Sequence, residues 1–130
     1  MRDFHNILAW QKADDLAVII YEATRSFPKE EVYALTSQIR RAAYSVAANI
    51  AEGASRSSQK DYLHFLFIAR GSLAETAYFL HLSRRLGYLR DELHCRLGEQ
   101  ADEASRVLTG LIGAVEKEAA GKTRDSRLET

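Results

Sequence analysis

Proline is almost missing from this sequence: Pro28 is the only one in 130 residues, alongside seven glycines. So few chain breakers, with 46% hydrophobic residues, exclude a many-turned β architecture and fit long helices. Cysteine is equally scarce. Cys95 stands alone and has no partner for an internal disulfide, as suits a reducing compartment. Net charge is also missing, because eighteen Lys+Arg balance eighteen Asp+Glu. That removes the global electrostatic drive toward nucleic acid or membranes and leaves only local patches to consider. No apolar run reaches the length that spans a bilayer. The start, Met1-Arg2-Asp3-Phe4-His5-Asn6, lacks the apolar core of a signal peptide. A soluble, cytoplasmic protein without a membrane partner is expected. A chain of this length forms one domain that buries roughly two-thirds of its unfolded surface, so it needs neither metal nor disulfide to fold.

What is present is helical periodicity. Between about Phe4 and Ser26, Leu8, Ala13, Leu16, Ala17, Ile20 and Thr24 keep three-and-four spacing, with Asp14, Asp15 and Glu22 mainly opposite. Phe27-Pro28 ends that helix, since a residue before proline is pushed out of the α region. A second helix is expected from about Glu31 to Ala54, with a weak stretch near Tyr33–Thr36. Ile39, Ala42, Ala43, Val46 and Ile50 form its buried face. Ser57 or Ser58 can cap a third helix running to Gly87. Its residues Tyr62, Leu63, Phe65, Leu66, Phe67, Ile68 and Ala69 point in every direction around the axis. A helix apolar all round is normally covered on all sides, which one small bundle cannot achieve, so a subunit interface is expected. Trp10, Tyr62, Phe65 and Phe67 are its candidate contacts, and Gly71-Ser72 marks a close backbone approach. A fourth helix from about Arg90 to Lys117 carries Leu93, Leu97, Ala101, Ala104, Leu108, Leu111 and Val115. The expected fold is all-α, an antiparallel up-down-up-down four-helix bundle over residues 1–117 that associates with further copies of itself. A flexible tail is expected over 118–130.

Catalytic and metal templates find no match. A di-iron bundle needs paired Glu-x-x-His motifs, and the nearest approach, Asp91-x-x-His94, stands alone. His5, His64, His81 and His94 share no convergent spacing, and no glycine-rich phosphate loop is present. Neither a catalytic residue, a metal nor a cofactor is expected, and the protein reads as a non-enzyme. Two polar features remain. Gln38, Arg41, Ser45, Asn49 and Glu52 run as one stripe along the second helix. In an antiparallel hairpin, equal arc lengths bring Arg41 to Ser72–Glu75, so an Arg41–Glu75 ion pair is expected, within a structural network or a ligand groove. The basic residues Arg40, Arg41, Arg56, Lys60, Arg70, Arg84, Arg85 and Arg90 are ordinary solvated charges in a single bundle. In a ring, any of them facing the axis would be repeated by symmetry into a field able to hold a phosphate backbone. No exposed aromatic is expected beside them for stacking on bases.

Several spaced motifs carry a resemblance: Trp10-Gln11-Lys12-Ala13, Phe27-Pro28, Gln38-Ile39-Arg40-Arg41-Ala42, Asn49-Ile50-Ala51-Glu52-Gly53, Ala69-x-Gly71-Ser72 with Glu75, and Leu86-Gly87-Tyr88. With these, about Phe4 to Val115 resembles the small four-helix-bundle proteins encoded within intervening sequences of bacterial large-subunit ribosomal RNA genes, and their stand-alone relatives. The resemblance implies a ring-shaped homopentamer with a central channel, and no settled biochemical activity. A related protein is the accessory subunit of diversity-generating retroelements, which works with a reverse transcriptase. It implies RNA, DNA or a nucleic-acid enzyme as a candidate partner, with Arg40, Arg41 and Arg56 as contacts.

Overall fold

The computed structural model describes residues 2–129, with side chains as far as Gly121, and contains four α-helices and no strand among them. The helices are α1 (Leu8–Ala23), α2 (Leu35–Ala54), α3 (Gln59–Arg85) and α4 (Asp91–Glu129). Short 3-10 turns occupy Phe4–Asn6, Thr24–Ser26 and Lys29–Glu31. Each helix packs on its neighbours in sequence, and α4 closes back onto α1. That cyclic adjacency with short connections is an up-down-up-down four-helix bundle.

Local chemistry sets the helix ends. Phe27 is extended (φ −65°, ψ 151°), as a residue before proline must be, and it seals the turn against Tyr88 with ring centroids 5.4 Å apart. The weak stretch near Tyr33–Thr36 is a true break. Lys29–Glu31 makes only a 3-10 turn, and Ala34 leaves the helical region, so α2 begins at Leu35 and not at Glu31. The cause is the lack of anything to bury: Val32 is exposed, and Tyr33 is 94% exposed. Ser58 caps α3 by accepting from the Asp61 amide at 3.0 Å. Gly87 (φ +80°) ends it, with the Tyr88 amide donating to Ser83 O and the Gly87 amide to Arg84 O, each at 2.9 Å. This is a Schellman closure, and the positive φ selects glycine. α4 does not stop at Lys117 but continues to Glu129. Helix-forming Lys117, Glu118, Ala119 and Ala120 carry the backbone onward, with Glu118 accepting from Gln59 Nε2 of α3 and no large apolar side chain to give a periodic signal. The remainder of the expected tail, in its side chains beyond Gly121 and at Thr130, lies outside the described residues.

The core is layered. Leu16 and Ile20 of α1 meet Ile39, Ala43, Val46 and Ile50 of α2, Leu66 and Ala69 of α3, and Leu97 and Leu108 of α4, all essentially inaccessible. Fully burying one such branched side chain contributes about 1.5–3 kcal/mol. Two residues depart from the expected faces. Leu8 is 53% exposed, one position off the buried Ala9–Ala13–Leu16 line, and Ile112 joins the α4 seam beside Leu111. The close backbone approach lies elsewhere than expected. A Cβ at Gly71 would meet nothing within 4 Å, whereas one at Gly53 would stand 2.8 Å from Phe65 Cβ, 3.0 Å from Tyr62 Cδ1 and 3.2 Å from Tyr62 O. α2 and α3 therefore converge at Gly53, immediately before their connecting turn.

Replacing Gly53 with alanine is expected to destabilise the protein by about 1–3 kcal/mol in urea denaturation, because backbone and ring must be pushed apart. Gly110→Ala, at an exposed α4 position with open space around it, is expected to stabilise by about 0.5–1 kcal/mol. Equal effects at the two sites would contradict the close approach at Gly53.

Candidate functional site

The polar stripe of α2 divides into parts with different partners. Ser45 is the centre of the first. Its Oγ lies 3.0 Å from Ser72 Oγ on α3, and Asn49 Nδ2 donates to Ser45 O at 2.8 Å and to Ser45 Oγ at 3.0 Å. Ser72 is buried, so this bond fixes the register of the two helices at the seam. Gln38, Arg41 and Glu75 form the second part. They line one open cleft of about 260 Å³ with Ala42, Ser45 and Ser72, which places Arg41 and Glu75 in the expected register. Among the described residues, however, no ion pair joins them: both side chains are exposed, and solvated charges gain little by meeting. Glu52 belongs to neither part. It pairs with Arg56 one turn on, at 2.5 Å.

The candidate nucleic-acid arginines do not form one patch. Arg40 is largely committed to the fold: Nε donates to Thr24 Oγ1 at 2.8 Å, Nη2 to Tyr21 O at 3.3 Å, and the guanidinium lies 4.6 Å from the Tyr21 ring centroid. It ties the end of α1 to α2. Arg56 sits sixteen residues away, about 24 Å along a helix, and lies 4.7 Å from the Phe65 ring centroid. Arg41 is exposed. An arginine outside the expected set closes the other end of the bundle: Arg2 Nη1 donates to Arg56 O at 3.0 Å, and its Nη2 to Gln59 Oε1. The guanidinium lies 4.3 Å from the Tyr62 ring centroid. Burial pushes the Tyr62 phenol upward, with the Arg2 charge opposing it. A lone arginine in an irregular N-terminal segment gives no periodic signal, so sequence reading passes over it.

The exposed aromatics differ from expectation in two ways. Tyr62 is only 2% exposed, held inside the protomer against Gly53, and so is withdrawn from any subunit contact. Trp10 is half-buried against Phe4 (centroids 4.8 Å apart), and Phe65 is half-buried. Phe67 does face outward at 41% exposure, and Ile68 and Tyr78 join it. Phe67, Gly71, Ala74 and Tyr78 are all exposed and spaced by four, three and four residues, so they share one face of α3. Tyr21, Tyr33 and Tyr44 are exposed beside Arg40 and Arg41, with which they line a cleft of about 580 Å³. Aromatics therefore do stand next to these arginines. They come from α1, the break and α2, and only the fold brings them together. Among the described residues, no group of His, Cys, Asp or Glu could hold a metal ion, and no helix is long and apolar enough to cross a membrane.

Comparison with known proteins places this geometry in context. Residues 5–110 match the 23S rRNA-intervening sequence protein family. The chain is similar to the crystal structure of a protein of unknown function from the S23 ribosomal protein family of Bacteroides thetaiotaomicron. The two share 27% identity and a TM-score of 0.73, over 81% of this chain and 98% of that one. No curated protein matches.

For the seam, Ser45→Ala and Ser72→Ala are each expected to cost about 1–2 kcal/mol, since each strands a partner hydroxyl or amide. The double variant is expected to fall short of their sum by about 1 kcal/mol. A double-mutant cycle in urea measures this, and strict additivity would rule out a direct Ser45–Ser72 bond.

Proposed function

The chain belongs to the 23S rRNA-intervening sequence protein family, and from that membership and the outer face of α3 we propose a non-enzymatic, cytoplasmic protein that self-assembles into a ring and acts as an interaction scaffold. The carrying observation is the exposed Phe67–Gly71–Ala74–Tyr78 face, two large rings flanking two small residues, with the Arg70 guanidinium 5.0 Å from the Phe67 ring centroid at its edge. Small residues between large apolar ones let a second helix approach closely, and such a face on a soluble protein marks a contact surface. Five copies is the number carried over from the family resemblance. Catalysis is left out because its candidates do not converge: Asn49 is bound to Ser45, Glu52 to Arg56, and Arg41 and Glu75 stand open to solvent.

A second reading, a nucleic-acid-binding accessory protein, is favoured by one observation, the cleft where Tyr21, Tyr33 and Tyr44 flank Arg40 and Arg41. Rings beside guanidinium groups suit single strands, with bases stacking and phosphates meeting charge.

Sedimentation velocity is expected to find a homo-oligomer at micromolar concentration, and the double variant Phe67→Asp/Tyr78→Asp a folded monomer with unchanged helical circular dichroism. A monomeric wild type would end the scaffold reading. Filter binding of single-stranded RNA tests the second reading. It expects affinity to fall about tenfold or more between low and moderate salt and to weaken in Arg41→Ala.

A further inference from the structure

We propose that the cleft at the N-terminal end of α2 binds a small phosphate ester, at a site that adjoins the tyrosine-lined cleft and shares Val32, Thr36 and Arg40 with it. The cleft has a volume of about 460 Å³, within the size range of small-molecule sites and much larger than one phosphate group requires. Three of its walls are cationic, Arg25, Lys29 and Arg40, and no acidic residue lines it. Neither Arg25 nor Lys29 forms an ion pair among the described residues, and Arg40 keeps Nη1 free while Nε and Nη2 hold α1. Glu30 and Glu31 lie on the adjacent turn but outside the lining. They act on Tyr88, whose phenol is raised chiefly by burial and further by these two carboxylates.

The end of α2 supplies the other half of an anion site. This twenty-residue helix starts without a side-chain cap, which leaves first-turn amides and the positive end of its dipole for an outside acceptor. Thr36, in that first turn, is a wall of the cleft. It is 5% exposed, and its Oγ1 has no hydrogen-bond partner. A buried hydroxyl without a partner is costly and calls for an explanation. Helical threonines have two χ1 wells, so this shielded hydroxyl must rotate from its present well to donate to a bound oxyanion. Phe27, Pro28 and Val32 complete the lining with an apolar surface, on which the organic part of the ester rests.

The test is a nitrogen-15 NMR titration of the full chain with adenosine monophosphate, inorganic phosphate and adenosine in parallel, at constant ionic strength. The proposal expects saturable shifts of the Leu35, Thr36 and Ser37 amides with the nucleotide. Inorganic phosphate should shift the same amides with about tenfold weaker affinity, and adenosine should leave them unmoved. Lys29→Ala and Thr36→Val should each weaken nucleotide binding about tenfold or more. Thermal melts without ligand separate binding from folding, because Thr36→Val removes an unsatisfied hydroxyl and should leave the unliganded protein at least as stable. Three results would overturn the proposal: no saturable shift at about 10 mM ligand, undiminished binding in both variants, or equal affinity for phosphate and nucleotide. The last would reduce the site to a bare anion hole.

Discussion

The approach of α2 to α3 at Gly53 is the constraint on which the rest of the bundle depends. With Phe65 Cβ 2.8 Å and Tyr62 O 3.2 Å from where a side chain would begin, the two helices are in contact at backbone level just before they turn. Helices that touch at one end pack most easily with small or short polar residues further on, and here Ser45 of α2 is bonded to Ser72 of α3. The hinge end sets the spacing, and the serine pair sets the register. Only after both are fixed can Leu66, Ala69 and Leu73 meet Ile39, Ala43 and Ile50 in the core. The polar seam of α2 is thus a consequence of close packing, because a hydroxyl pair is narrower than any pair of branched apolar side chains.

Much of this could be read from residues, and what could not be has a physical explanation. Four helices, their order, the buried face of α2, the Ser58 cap and the glycine stop at Gly87 follow from periodicity and from conformations that particular residues require. Membership of the 23S rRNA-intervening sequence protein family was legible as well, through motifs spread over nearly the whole bundle. Periodicity fails where the helix continues without large apolar side chains to bury, as α4 does after Lys117, where Glu118 is held through Gln59. It also cannot tell which of two glycines faces a neighbour. Gly53 and Gly71 look alike in sequence, yet one is pressed against a ring and the other is open. Tyr62 and Phe67, five residues apart, shared an expectation of exposure, but the geometry of one turn sends the first inward.

Charge was the least legible property of the candidate site. Arg40 and Arg41 are neighbours in the chain, but Arg40 turns back to bind Thr24 and Tyr21 while Arg41 stands in solvent. Three tyrosines from three segments converge beside them, although net charge is zero and no local motif announces a surface. Long-range assembly of this kind leaves no spacing to detect, so a neutral composition can hide strongly uneven faces.

Arg2 reaches backbone oxygens more than fifty residues along the chain, at Ala54 and Arg56, and covers the Tyr62 ring. Closing so long a loop costs only a little more entropy than closing a short one, because the cost grows with the logarithm of its length. Phe4 and Ile7 pack against the core as well, so one cation and two apolar side chains hold the segment down together. The segment before α1 is a latch over the α2–α3 turn. Without it the Tyr62 ring would lose its covering cation, and the end of α2 would lose the donor to the carbonyls of Ala54 and Arg56.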